Sequence, residues 1–334
     1  MRGLAFWIGA ATFVALAAVL ALTLKNEYVF FAGYVVLQFI VLATAWNILG
    51  GYAGYVNFGT AAFFGLGAYM GVFLFKAFEL PLVLQIAVAA VVGAGLGLAT
   101  GVMTLRLRGI FYSSATVAIA IIVETLIVNW RFVGGATGIQ LLRPPPTWPF
   151  DSYIKMLFVI AAIMVVIAVA VARQIEISWL GRGLKAIRDD EVAAECSGVP
   201  TLRLKLIACA LSGALMCAAG APYPMYAQYA IPSAAFDLNY SVSALAMSLI
   251  GGTSHWIGPV LGAIVLASTQ QWVTVNISSE LNVLVLGVML VLFVVVAPDG
   301  IIGWFRRKTP KATADKAAPG AETQSSVQTS KEGA

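Results

Sequence analysis

WLGRGLKAIRDDEVAAECSGVP, residues 179–200, lies between two long apolar runs in a chain that carries little charge elsewhere. Residues 184–196 contain good helix formers, and Arg188, Asp189, Asp190 and Glu191 stand side by side. The segment therefore predicts one short helix with too much charge to enter lipid. Gly198 and Pro200 close it, because glycine permits the left-handed turn and proline cannot continue a helix. Leu184, Ala186, Ile187, Val192, Ala193 and Ala194 would give that helix a surface another protein could grip.

The flanking sequence says where such a helix would sit. Of 334 residues, 60% are hydrophobic and 10% charged, against roughly 25% charged in soluble domains. The mean hydropathy is +0.91. These values describe an all-α, polytopic integral membrane protein with little mass outside the bilayer. A hydrocarbon core about 30 Å thick takes about 20 apolar residues per helical crossing. Candidate spans fall at 4–24, 28–49, 58–78, 81–105, 111–130, 153–173, 206–228, 236–252, 257–275 and 282–298, about ten transmembrane or re-entrant helices. The eighth contains Asp237 and is short, so a tilted, broken or re-entrant crossing is expected there. Residues 1–303 form one transmembrane domain with a cytoplasmic loop at 174–205. After it, RRKTPKATADKAAPGAETQSSVQTSKEGA has no apolar period, and 304–334 is expected to be a disordered cytoplasmic tail.

Cation placement orients the chain. With both termini cytoplasmic, only Lys25, Lys76, Arg131, Arg143 and Lys155 of the 20 Lys and Arg fall outside. That asymmetry is what the positive-inside rule requires, and it puts the quoted segment in the cytoplasm. The net charge of +5 belongs to residues flanking spans, so membrane lipids rather than nucleic acid are the partners it suits. Arg306, Arg307 and Lys308 are placed to hold the last helix against anionic headgroups.

Several chemistries are excluded. No G-x-x-x-x-G-K-[ST] loop or H-E-x-x-H motif occurs, and no Ser, His and acid set is expected around the single histidine, His255. Cys196, Cys209 and Cys217 lack metal-ligand spacing and are expected to be free thiols. No catalytic residue and no metal site is expected.

Glycine marks two kinds of place. Gly93, Gly97 and Gly101, and Gly67 with Gly71, recur every four residues and predict close helix contacts. GGYAGYVNFG at 50–59 and GGTSHWIGP at 251–259 instead sit at helix junctions. Breaks of that kind are tolerated only where backbone is buried in protein or lines a cavity, and paired breaks point to a pathway or an internal repeat. Gly50, Gly51, Gly54, Asn57, Gly59, Gly251, Gly252 and Gly258 are therefore candidate pathway residues. Glu124 joins them as an acid inside a predicted span; its ionised form needs a partner or water. Asn239, Ser241, Ser243 and Ser248 form a polar stripe that would line a pathway or bond to neighbouring helices. The outer loop 131–152, with three consecutive prolines, Trp148 and Phe150, reads as a surface loop or a platform for an external partner.

GRGLKAIRDDEVAAECSGV, 181–199, resembles the cytoplasmic coupling loop of ABC importer permeases, and its form is similar to the branched-chain amino-acid branch. The resemblance extends to GGYAGYVNFGTAAFFGLGAY at 50–69, NWRFVGGATGIQ at 129–140 and SLIGGTSHWIGPVLGA at 248–263. It departs at Ala136 and Thr137, where the family often carries an acidic residue, and at His255. The resemblance implies a type II-like importer permease fold in a bacterial inner membrane. It also implies a second homologous permease, two cytoplasmic ATPase subunits and a periplasmic solute-binding protein, with ATP and Mg on the ATPases and no cofactor in this chain. Gly181, Arg182, Leu184, Ile187, Arg188, Asp189, Glu191, Ala193, Ala194 and Gly198 would then couple to an ATPase. Branched-chain or related hydrophobic amino acids are the implied cargo, with urea, short amides or aromatic acids as alternatives on the same machinery. A different class, an ion-coupled secondary transporter using Glu124, remains the rival.

Overall fold

The computed structural model describes residues 2–104, 107, 109–144, 150–277, 281–297 and 300–307. Arg106, Arg108, Pro145, Pro146, Trp148 and residues 308–334 of the expected tail, Lys308 included, lie outside the described residues. The elements are α1 (Arg2–Thr23), α2 (Glu27–Ala53), α3 (Thr60–Phe78), α4 (Leu82–Thr104), α5 (Ile110–Val128), β1 (Ile139–Gln140), α6 (Tyr153–Ile177), α7 (Trp179–Asp189), α8 (Glu191–Cys196), α9 (Thr201–Gly220), α10 (Tyr223–Ala227), β2 (Tyr229–Ala230), α11 (Pro232–Ala235), α12 (Asn239–Gly251), α13 (Ile257–Asn276), α14 (Asn282–Val296) and α15 (Gly300–Arg307).

Each expected apolar run is helical over most of its length, but among the described residues 7 helices are long and apolar enough to cross a membrane. These are α1 to α6 and the stretch Thr201–Ala227. The last three expected spans differ for separate reasons. α12 has 13 residues, about 20 Å of helix, too short for a core of about 30 Å. It runs beside the second half of α2 only: the Tyr240 ring stacks on Phe39 at 5.9 Å, and Ser248 Oγ donates to the Ala43 carbonyl at 2.9 Å. α13 has 20 residues but carries Gln270 and Gln271, and α14 has 15 residues. Residues 304–307 of the expected tail are helical, because α15 continues through Arg307.

The core forms around α2, which packs against α6, α9, α12 and α13. Glycine lets helices meet backbone to backbone. A Cβ on Gly97 would sit 2.6 Å from the Cys209 carbonyl oxygen, and one on Gly71 would sit 2.6 Å from that of Ala221. Gly67 meets the Cys217 carbonyl and Gly93 that of Gly213 in the same manner. α9 is thus held closely between α3 and α4, with its backbone against glycines of both. Gly251, Gly258 and Gly262 do the same for α12 against α13, and Gly252 turns the chain between them with φ +103°. Those three close the hairpin α12–α13.

The bundle has two distinct ends. Lys76 Nζ donates to the Phe132 carbonyl at 2.8 Å, Lys155 lies over the Phe30 ring, and Arg143 donates to the Met225 and Tyr226 carbonyls at 3.0 and 2.8 Å. Partial burial lowers the Arg143 pKa from its ordinary value, and the group stays cationic. At this end β1 pairs antiparallel with β2, Ile139 opposite Ala230. Gly138, with φ +75°, brings the NWRFVGGATGIQ loop against the Ala230 backbone, where a Cβ would collide. The loop is therefore pinned to the chain after α10 rather than lying free. α7, α8 and the Gly54 and Gly252 turns occupy the opposite end.

Candidate functional site

The charged segment folds as two helices, not the single helix expected over 184–196. Asp190 leaves helical geometry with φ −158°, and its Oδ1 accepts from the Val192 and Ala193 amides at 2.9 and 3.0 Å. An aspartate that can cap a new helix competes with continuation of the old one. Gly198, with φ +82°, ends the second. Asp190→Ala is expected to destabilise α8 by about 1 kcal/mol, seen as faster protease cleavage of the loop in membrane vesicles.

Amphipathic spacing decides what the two helices bury. Leu180, Leu184 and Ile187 face inward at i, i+4 and i+7. Gly181 packs on the Ile175 backbone at the end of α6, and Ala194 is buried as well. The grip expected from Leu184, Ile187 and Ala194 is therefore core. Arg182, Asp189, Val192, Ala193 and Gly198 are exposed. Arg188 is exposed as a residue, yet its guanidinium donates to the Gly51 carbonyl at 2.8 Å. Glu191 turns inward: Lys205 Nζ donates to its Oε1 at 2.6 Å and Tyr55 Oη to its Oε2 at 2.7 Å.

The two glycine junctions differ from each other. α2 runs unbroken through Gly50 and Gly51 and ends at Gly54, whose φ of +76° sets the left-handed cap. The chain then runs back along α2, so that Trp46 Nε1 donates to the Asn57 carbonyl at 2.8 Å, while Asn57 Oδ1 accepts from the Gly59 amide at 2.7 Å. The 251–259 junction is instead the tight hairpin of α12 and α13, so the pair does not share one backbone geometry. Glu176, which sequence reasoning passed over, binds this second turn: its Oε2 accepts from the Trp256 amide at 2.8 Å and from Tyr52 Oη at 3.4 Å. His255 Nε2 lies 3.9 Å from the same carboxylate, and Asn47 Nδ2 donates to the Thr253 carbonyl at 3.3 Å.

Nearer the other end a cavity of about 370 Å³ opens between α2, α10, α12, α13 and α14. Gln38, Asn239, Ser243, Gln270, Gln271 and Thr274 supply polar groups, and Val35, Phe39 and Leu286 an apolar wall. The volume lies in the range of small-ligand pockets, roughly 300–1,000 Å³. The expected polar stripe of α12 divides here. Asn239 and Ser243 line the cavity, whereas Ser241 Oγ donates to the Phe58 carbonyl at 2.7 Å and Ser248 bonds to α2. Gln270 and Gln271 were missed by sequence reasoning, though adjacent glutamines in an apolar helix are a legible signal. Glu124 is half-buried on α5, lines neither this cavity nor the one beside Gly54, and makes no hydrogen bond or ion pair among the described residues. Among the described residues no group of three His, Cys, Asp or Glu could hold a metal ion.

No solved structure matches the chain. LivM, the high-affinity branched-chain amino acid transport system permease protein of Salmonella typhimurium, is 27% identical over 291 residues, 79% of this chain and 67% of that protein. A probable branched-chain amino acid transport permease protein, LivH, of Methanocaldococcus jannaschii is 24% identical over 267 residues, 74% of this chain and 82% of its own. The ribose import permease protein RbsC of Escherichia coli K12 is 25% identical over 243 residues, 65% of this chain and 70% of its own. These relatives are membrane transport subunits, not enzymes. Residues 28–294 match the family described as branched-chain amino acid transport system / permease component, and the chain belongs to that family of integral membrane permeases.

Proposed function

We propose that this chain is the permease subunit of an ATP-driven importer that moves branched-chain or related hydrophobic amino acids inward across the bacterial inner membrane. The observation that carries the reading is the loop α7–α8, whose apolar side is buried in the bundle while Arg182, Asp189, Val192 and Ala193 face outward. A rigid charged platform with no phosphate-binding loop of its own suits docking onto a separate ATPase. Two cytoplasmic ATPase subunits, a second homologous permease and a periplasmic solute-binding protein complete the machine. The excess of cations at the α7–α8 end makes that end cytoplasmic. The loop pinned by β1 and β2 then faces the periplasm as a platform for the binding protein.

The 370 Å³ cavity is the solute contact in this chain. Amide and hydroxyl groups suit the polar end of an amino acid, and Val35, Phe39 and Leu286 suit an aliphatic side chain. Replacing Gln270 with Leu is expected to lower leucine uptake about tenfold, the loss that follows from one unpaired polar group. ATP hydrolysis by the complex stays unchanged. Competition by valine, isoleucine and urea in cells carrying the intact transporter tests the cargo. Urea displacing leucine at equal concentration would transfer the assignment to the small-amide alternative.

A further inference from the structure

The Glu191 carboxylate is largely withdrawn from the exposed face of α7–α8: its side chain is 14% exposed and that of its partner Lys205 is 4% exposed. Lys205 also donates to Tyr55 Oη at 3.2 Å, closing a triangle with the two bonds to Glu191. With Arg188 on the Gly51 carbonyl, α7 and α8 are fastened to the end of α2 and the start of the returning segment. A buried charged pair is costly to assemble when apolar contacts would anchor the loop as well. What it adds is a stiff, directional link.

From Tyr55 onward the returning segment is bonded to its neighbours at each step. The Val56 carbonyl accepts from Ser113 Oγ at 2.9 Å, the Asn57 carbonyl from Trp46, and the Phe58 amide donates to Thr116 Oγ1 at 3.1 Å. Ser241 Oγ then donates to the Phe58 carbonyl at 2.7 Å and accepts from the Ala61 amide at 2.9 Å. Ser241 lies in the first turn of α12, between Asn239 and Ser243 of the 370 Å³ cavity. A second cavity of about 590 Å³, bounded by Gly54, Tyr55, Ile110, Ser113 and Arg188, leaves room beside the segment.

We propose that Tyr55 and Ser241 are positioning residues that link movement of α7–α8 through residues 55–58 to the first turn of α12, reshaping the cavity at Asn239 and Ser243. The inference rests on the importer reading above. Short polar links between packed elements transmit displacement, since packed interfaces shift between discrete arrangements. Neither residue touches solute or nucleotide.

The test uses the intact transporter reconstituted in liposomes, with leucine uptake and ATP hydrolysis measured together for Tyr55→Phe, Ser241→Ala and Ser241→Thr. The first two are expected to lower leucine moved per ATP roughly fivefold to tenfold, with ATPase subunits retained and hydrolysis within about twofold of the parent. Ser241→Thr keeps the hydroxyl and restores the ratio. An unchanged ratio in Tyr55→Phe and Ser241→Ala, or uptake and hydrolysis falling in proportion as a merely structural defect produces, would overturn the proposal. Parent transporter that needs no ATP for uptake would instead remove the importer reading itself, before any variant is compared.

Discussion

Ala193→Arg is expected to release the chain from the ATPase proposed above while leaving it folded in the membrane. Ala193 is exposed in the first turn of α8, beside Asp190, whose side chain holds that turn in place. A long cation there fills space that a docked partner must occupy, and such a clash at the centre of an interface costs about 2–4 kcal/mol, roughly thirtyfold or more in affinity. Co-purified ATPase and ATP-dependent leucine uptake should both fall to background, with membrane levels and melting temperature unchanged. The neighbouring Ala194→Arg makes a useful contrast. Its side chain is buried against the bundle, so that variant should lower the melting temperature as well.

The second large effect concerns the glycine contacts. Gly97→Leu places a side chain where the Cys209 carbonyl oxygen is 2.6 Å and the Ala210 Cα 3.1 Å from the Cβ position. Both obstacles are backbone of α9, so the helices must separate, at a cost above the roughly 3 kcal/mol of ordinary overpacking. Detergent-extracted protein should aggregate on size exclusion. Two residues away in the same helix, a Cβ on Gly95 meets nothing within 4 Å, and Gly95→Leu should run as the parent does. Equal behaviour of the two variants would contradict the packing of α4 on α9.

The spans were legible because lipid allows no alternative: a run of about 20 apolar residues bounded by charge must satisfy its backbone as helix. The glycine spacing at 93 and 97 was legible for the same reason, since missing side chains on one face imply a close neighbour. The charged segment was legible as a helical loop between two spans, but not in its detail. Asp190 breaks it because a capping aspartate outweighs the helix propensity of its neighbours, and nothing at 191 announces Lys205 or Tyr55, which lie 14 and 136 residues away. The sequence offers Glu191 only as one of the charges of the loop, and distant groups turn it inward. The same distance hid Glu176, which meets Trp256 from 80 residues off. Glu124, an acid in a predicted span, lines neither cavity described above. Gln270 and Gln271 do line one, and it was not legible in the sequence because α2, α12 and α14 come together around it only in the fold.

The central claim is that the exposed face of α7–α8 docks on a separate ATPase. Its most direct test is cysteine cross-linking in native membranes, with Cys196, which is exposed, replaced by Ser so that it does not compete. Ala193→Cys and Arg182→Cys should each cross-link to one ATP-binding polypeptide, with the yield changing when ATP is added, while Ile187→Cys, on the buried side, should not. A chain that yields no such adduct from either exposed position, purifies alone, and carries leucine into liposomes without ATP would contradict the account.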